Sequence, residues 1–225
     1  MPGSYGVFDD VVEAIIAEIK PQTLLDIGTG AGKYGKMLRS IAPDCRRVGV
    51  EMEPSYIRDY QLAELYHEIR PIDAATLMTT THDEFHDLVI LGDCIEHMPK
   101  STGLDLLNFL TYRAKYVLVL VPEFCIQGSV NGVGSESHVS VWSEADFAWH
   151  DAWAFENAMT VSLFLLRGYQ PNAVPLTSVI DAVNKKNAAV MDFNRERFHR
   201  PAHLTAHIRR RVEMVNGQEY CFRVK

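Results

Sequence analysis

The residues of this chain that could do chemistry are acids and histidines set at the ends of apolar runs, beside glycines. In Leu24-Leu25-Asp26-Ile27-Gly28-Thr29-Gly30-Ala31-Gly32-Lys33 a carboxylate precedes glycines at alternate positions. Glycine there permits positive φ and leaves no Cβ between the backbone and a ligand pressed against it. A Walker-type phosphate loop would need glycine where Ile27 stands and Ser or Thr where Tyr34 stands, so that reading is rejected. A dinucleotide fingerprint needs G-x-G-x-x-G, whereas Gly28, Gly30 and Gly32 are spaced G-x-G-x-G with bulky Lys33 following. It stays open as the weaker alternative. Val48-Gly49-Val50-Glu51 ends in an acid 21 residues after Gly30, where one carboxylate can accept from two ribose hydroxyls. Asp73 and Asp93 end two later runs, and His97 and His138 are imidazoles whose ordinary pKa near neutrality suits proton transfer.

Elements must hold these groups. Val11, Val12, Ile15, Ile16 and Ile19 recur at helical spacing and predict an amphipathic helix over Val7 to Ile19, ended by Pro21. Strands are predicted at Thr23 to Ile27, Arg47 to Glu51, more weakly Glu68 to Ile72, Leu88 to Leu91 and Tyr116 to Val121. Helices fall between them, through Met37 and Leu38, from Pro54 to about Tyr66, and from about Thr102 to Arg113. That alternation implies a parallel sheet with helices on both faces, because parallel neighbours need long crossovers. Residues 123 to 141 hold three glycines and four serines, a loop long enough for a lid. Ser143 reads as a helix cap, with Asp146 a near match to the capping box. Thr160 to Arg167 fits the last turns of a helix or a β-branched strand, and periodicity leaves the two open. Asn216-Gly217 between apolar segments reads as a type I′ hairpin turn.

The glycine-rich segment resembles motif I of the class I S-adenosylmethionine-dependent methyltransferases, D/E-x-G-x-G-x-G, and matches it completely. Ile72-Asp73-Ala74 resembles that family's third-strand turn. Leu91-Gly92-Asp93-Cys94-Ile95-Glu96-His97-Met98-Pro99 resembles its D-x-L-E-H-x-P stretch, with Ile95 for leucine. The resemblance covers about residues 23 to 122. It implies a Rossmann-like, doubly wound α/β fold: a seven-stranded, mostly parallel sheet closed by a C-terminal antiparallel hairpin over about His207 to Arg223. A single domain would span residues 1–225, with 1–20 as a cap helix and 123–205 as the lid and acceptor-binding region. It implies S-adenosyl-L-methionine as cofactor, S-adenosyl-L-homocysteine as product, and methyl transfer to oxygen or nitrogen of a small organic acceptor. Asp26 would lie near the cofactor's amino group, Gly28, Thr29, Gly30 and Gly32 against its methionine portion, and Glu51 with Met52 at the ribose. Asp73 and Ala74 would meet the adenine, and Asp93 would orient cofactor or acceptor. A zwitterionic tail needs such a set: a carboxylate for its ammonium and backbone N–H groups for its carboxylate. His97 is the first choice of catalytic base and His138, in a stretch resembling H-x-S-x-[WF]-[ST], the second, beside Asp93. Trp142, Trp149 and Trp153 with Phe147 and Phe155 suggest an apolar acceptor wall.

The net charge of -7 is the wrong sign for a chain whose main partner is a phosphate backbone, and no N/D-P-P-[YF] motif follows the fourth strand. Residues 151 to 225 are locally basic, with Arg209-Arg210-Arg211, which reads as a solvated surface. Neither a membrane-length apolar run nor a secretory start is present, and four dispersed cysteines form no CxxC pair, so a cytoplasmic protein with reduced thiols is expected, as monomer or homodimer. No metal is expected. His82-Asp83-Glu84-Phe85-His86 lacks the zinc-protease pattern, and Asp93 with Glu96 is spacing common without an ion. A cofactor-binding subunit without turnover and an NAD(P)-dependent oxidoreductase remain as alternatives.

Overall fold

A computed structural model of the chain describes residues 5–158, 160–191, 199–215 and 218–223, with only the backbone for 210–223. In chain order the elements are α1 (Asp9–Ile19), β1 (Thr23–Ile27), α2 (Lys33–Ile41), β2 (Arg46–Val50), α3 (Pro54–Asp59), β3 (Glu68–Arg70), α4 (Leu77–Thr80), β4 (His86–Gly92), α5 (Lys100–Thr111) and β5 (Ala114–Pro122). They are followed by β6 (Ala152–Ala158), β7 (Val161–Arg167), α6 (Leu176–Lys186), β8 (Ala189–Met191), β9 (His199–Pro201), β10 (Thr205–Ile208), β11 (Arg210–Val215) and β12 (Gln218–Arg223). The main sheet has the order β10-β6-β7-β5-β4-β1-β2-β3. Strands β3, β2, β1, β4 and β5 run parallel, while β7, β6 and β10 add on antiparallel.

The middles of β4 and β5, Leu88–Leu91 and Tyr116–Val121, are apolar at every position because both faces are covered. In β4 and β5, Leu88, Ile90, Tyr116, Leu118 and Leu120 face one core layer, with α1, α2 and α6. Their neighbours Val89, Leu91, Val117, Val119 and Val121 face the other, with α4, α5, Trp142 and Phe147. This period of two, with helices in the crossovers, is the doubly wound α/β arrangement expected from the sequence.

Four features differ from expectation. The sheet has eight strands, and its antiparallel end is built from 152–167 and 205–208, whereas β11 and β12 pair only with each other in a separate ribbon. The turn residues Asn216-Gly217 lie outside the described residues. Thr160 to Arg167, which periodicity left open, resolves as strand over Val161–Arg167: β7 is buried throughout between β5 and β6, which explains its apolar run Leu163 to Leu166. Consequently the stretch 123–205 is not all lid, since β6, β7 and α6 belong to the core. Helix α1 packs in the first core layer and is no cap; among the described residues of the N-terminal segment, Tyr5, ahead of it, is the one that reaches the cavity described below. The predicted helix from Pro54 stops at Asp59, and after Gln61 in the left-handed region a 3-10 turn takes over at Leu62–Glu64.

The segment between β5 and β6 returns across the carboxyl ends of the strands. Ser143 N–H donates to Asp146 Oδ2 at 2.8 Å, so the near-match capping box does form, on a single 3-10 turn. Trp142 anchors this return. It is fully buried over Gly103 of α5, its Nε1 donates to Ser140 Oγ at 2.8 Å, and Lys100 Nζ sits 4.2 Å from its ring centroid. A Cβ on Gly103 would stand 2.5 Å from Trp142 Cζ2. Gly103→Val should therefore cost about 1–3 kcal/mol by overpacking and loosen the return segment. Urea unfolding and a red shift of tryptophan emission under native conditions check this; unchanged emission would show that Trp142 does not hold the cover.

Candidate active site

A cavity of about 770 Å³ opens at the carboxyl ends of β1, β2 and β4, where the chain's crossovers diverge to opposite sides of the sheet and ligands gather. Its first wall is the turn after β1. Gly28 and Thr29 N–H donate to the Val50 carbonyl at 2.9 and 3.3 Å, and Gly30 N–H donates to Glu51 Oε2 at 2.8 Å. Thr29 Oγ1 donates to the same oxygen at 3.4 Å and Glu53 N–H to Oε1 at 2.9 Å. The Glu51 carboxylate thus ties the turn after β1 to the turn after β2; Oε2 is filled by two donors, and Oε1, with one, keeps a further lone-pair direction for a ligand. Burial pushes its pKa up, with the hydrogen bonds from Glu53, Gly30 and Thr29 pulling down. Gly28 has φ 73°, and a Cβ there would lie 2.7 Å from Cys94 Sγ. Met52, Ile72 and Ala74 form an apolar patch next to Glu51, and Asp73 caps the turn at Ala74–Thr76 by accepting Ala75 N–H at 2.8 Å, keeping Oδ2 for other donors.

The opposite wall comes from the end of β4 and the returning segment. Asp93, at φ 48°, accepts Tyr5 N–H on Oδ2 at 3.0 Å. The rings of His97 and His138 meet edge to face, with centroids 4.8 Å apart. His97 Nδ1 lies 3.2 Å from the Ser137 carbonyl and His138 Nδ1 2.8 Å from the Cys125 carbonyl. A carbonyl accepts only from a protonated ring nitrogen, so in both neutral rings the lone pair is on Nε2. Burial lowers the pKa of His97 and favours its neutral form.

Most residues picked out in the sequence converge here: Gly28, Thr29, Gly30, Glu51, Met52, Asp73, Ala74, Asp93, His97 and His138 all line the cavity. Two do not. Asp26 is fully buried behind the turn, where the Tyr66 hydroxyl donates to its Oδ2. Gly32 faces inward, where a Cβ would strike Leu65 and Leu62, so its φ of 74° serves packing. The aromatic acceptor wall is also corrected. Trp142 and Phe147 are buried against α5, Trp153 stacks on His207, and none of the three tryptophans, nor Phe147 or Phe155, lines the cavity. Packing alone accounts for them. Tyr5, Tyr34 and Tyr56 supply the aromatic surface instead, and Glu96, Gln127 and Glu136 were missed. Glu96 had a signal, since it stands beside His97 in the quoted motif.

No protein-family model matches the chain, and no curated protein matches it in sequence. Solved structures do match in fold. An O-methyltransferase family protein from Burkholderia thailandensis aligns with TM-score 0.54 at 12% identity over 73% of this chain and 56% of that one. The chain thus spans little more than half of that relative. The N-terminal domain of EvdMO1, solved with S-adenosylhomocysteine bound, aligns with TM-score 0.54 at 14% identity over 71% of this chain and 81% of the other. A SAM-dependent methyltransferase from Archaeoglobus fulgidus gives 0.53 at 14% over 70% and 93%. The chain has the class I methyltransferase fold.

Burial pushes the Asp26 carboxyl up to about 7, with Tyr66 pulling down and Glu51 adding to the rise. The unfolded value is about 3.9, so the folded state holds the proton more tightly. Stability from this group is full below pH 4 and is lost as pH rises toward and through 7. Between pH 5 and pH 8 the loss should be roughly 2.5 kcal/mol. In thermal unfolding Asp26→Asn should remove that slope; a variant whose pH profile parallels the parent would show Asp26 to be ionised in the fold.

Proposed function

We propose that this chain transfers a methyl group from S-adenosylmethionine to an oxygen or nitrogen of a small organic acceptor. The carrying observation is one cavity in which a glycine turn held by Glu51 faces two imidazoles held in the Nε2-acceptor tautomer. The residues present fit the cofactor. The close approach of Gly28 to Cys94 leaves bare backbone on the wall, Glu51 offers the spare lone pair of Oε1 to a sugar hydroxyl, and Asp73 beside Ala74 offers Oδ2 to an amino group. Asp26 stands behind the wall, where it accepts from the Tyr66 hydroxyl, and does not meet the cavity. When bound, the cofactor supplies an electrophilic methyl on a sulfonium, and the chain aligns the acceptor in line and keeps water out.

On the acceptor side His97 and His138 receive the proton that a hydroxyl or amine gives up, with Asp93 beside them. The Burkholderia relative's description as an O-methyltransferase family protein favours oxygen. Free thiols at Cys45, Cys94 and Cys125 support a reducing, cytoplasmic setting. Among the described residues no helix is long and apolar enough to cross a membrane.

Calorimetry should show S-adenosylmethionine binding and no NAD(H) binding. Glu51→Ala should weaken that binding about 10- to 100-fold, the worth of a charged hydrogen bond, whereas His97→Ala should leave it unchanged and slow S-adenosylhomocysteine formation about 100-fold or more. The reverse pattern would overturn the assignment. Retained binding without product from any extract fraction would leave a binding subunit only.

A further inference from the structure

We infer that Glu96, His97 and His138 form a site for a divalent transition-metal ion on the acceptor wall of the cavity. Among the described residues this is the group of three His, Cys, Asp or Glu side chains whose ligand atoms all lie within 4.8 Å of one another. All three line the cavity. Position alone would carry little, but two independent features point to a cation.

The first is Glu96 itself. It is 1% exposed, yet neither carboxylate oxygen has a hydrogen-bond partner. His138 Nε2, which carries a lone pair and no proton in the neutral ring, stands 4.0 Å from Oε1, too far for a hydrogen bond. A carboxylate in that position is strongly disfavoured unless something positive is beside it. The second feature is the pair of backbone anchors. Both histidines donate Nδ1–H to main-chain carbonyls, of Ser137 and Cys125. This is how metal-ligating imidazoles are oriented, with the second nitrogen fixing the tautomer and raising the basicity of the first.

Two imidazole nitrogens and one carboxylate suit zinc, manganese, iron or cobalt, while magnesium and calcium prefer all-oxygen sets. A tetrahedral zinc with bonds of about 2.0–2.1 Å sets its ligand atoms about 3.3 Å apart, so the side chains must close by up to roughly 1.5 Å. Three protein ligands leave at least one coordination position facing the cavity, the arrangement of a catalytic site. The acceptor class that fits is one whose hydroxyl, or pair of adjacent oxygens, would replace water on the ion and be made more acidic; with the ion bound the two imidazoles serve as ligands in place of a base, and the acceptor's proton leaves to water. That last step rests on the methyl-transfer reading, whereas the metal site does not.

The test uses the full chain stripped with chelator and titrated by calorimetry with zinc, manganese and magnesium, and with cobalt followed by visible absorption. One equivalent of zinc and cobalt should bind more tightly than magnesium, with a tetrahedral or five-coordinate cobalt spectrum. Glu96→Gln and His138→Ala should each weaken binding at least about tenfold, with circular dichroism unchanged. Should Glu96→Gln fail to fold, His138→Ala decides, because its ring lies in the return segment outside the sheet. Absence of stoichiometric binding, or binding untouched by His138→Ala, overturns the site. Parallel titration with S-adenosylmethionine separates the two readings: metal bound without cofactor sinks methyl transfer and keeps the site, and cofactor bound without metal does the opposite.

Discussion

The His97–His138 side of the cavity depends on one main-chain group, the Glu96 carbonyl. It accepts the N–H groups of Val139 and Ser140 at 2.9 and 3.1 Å, and so fastens the segment returning from β5 onto the turn after β4. That clamp, with Trp142 driven into the gap above Gly103, brings His138 next to His97 across 41 residues of sequence. Without it the two imidazoles would sit on separate pieces of chain. The tip of the same segment, at Gly128, Gly132 and Gly134, meets nothing within 4 Å of where a Cβ would stand, so the segment is fixed at its base and open at its tip.

The glycine-turn side rests on a different bond set, centred on Glu51, and the two sides touch where Gly28 approaches Cys94. The geometry of the sheet explains why. Parallel strands end with carboxyl ends together, and β1 and β4 are neighbours whose crossovers leave on opposite sides. The gap between their turns is then the cavity, and any side chain at position 28 would close it against the thiol. Glycine is required there for two reasons at once, the positive φ and the space.

The sequence made the parallel half of the sheet legible because its strands are short, apolar and separated by helical spacing, and because strand ends coincide with acids. The antiparallel half was not legible to the same degree. Strand β7 is buried on both faces, so its run Val161–Arg167 lacks the alternation that would separate strand from helix. The ribbon β11–β12 reads locally as a hairpin, but nothing in its own residues says whether it joins the main sheet. Site residues divide similarly. Those on cavity-facing backbone, such as Glu51 and Asp73, were found from position. Asp26 and Gly32 share the motif but turn inward, because Tyr66 and Leu65 fill the space behind the turn. The tryptophans clustered in sequence are spread across packing sites in space.

A common electrostatic character links the two sides of the cavity. Asp26, Glu51 and Glu96 all have pKa values pushed upward, in each case first by burial. Cys94, between them, is raised well above the ordinary thiol value by burial and then by the charges of Glu96, Glu51, Asp26 and Asp73. A thiol so placed stays protonated and is a poor nucleophile, although it lines the cavity. It therefore serves shape more than chemistry. Carboxylates gathered in low dielectric are costly to the fold, and the cost falls when a cation enters. A sulfonium with an ammonium at one end, and a divalent ion at the other, are ligands that relieve it, whereas a pyrophosphate would add to it. The same acids that weaken the dinucleotide reading thus favour the cationic one, on charge alone and independently of the glycine spacing.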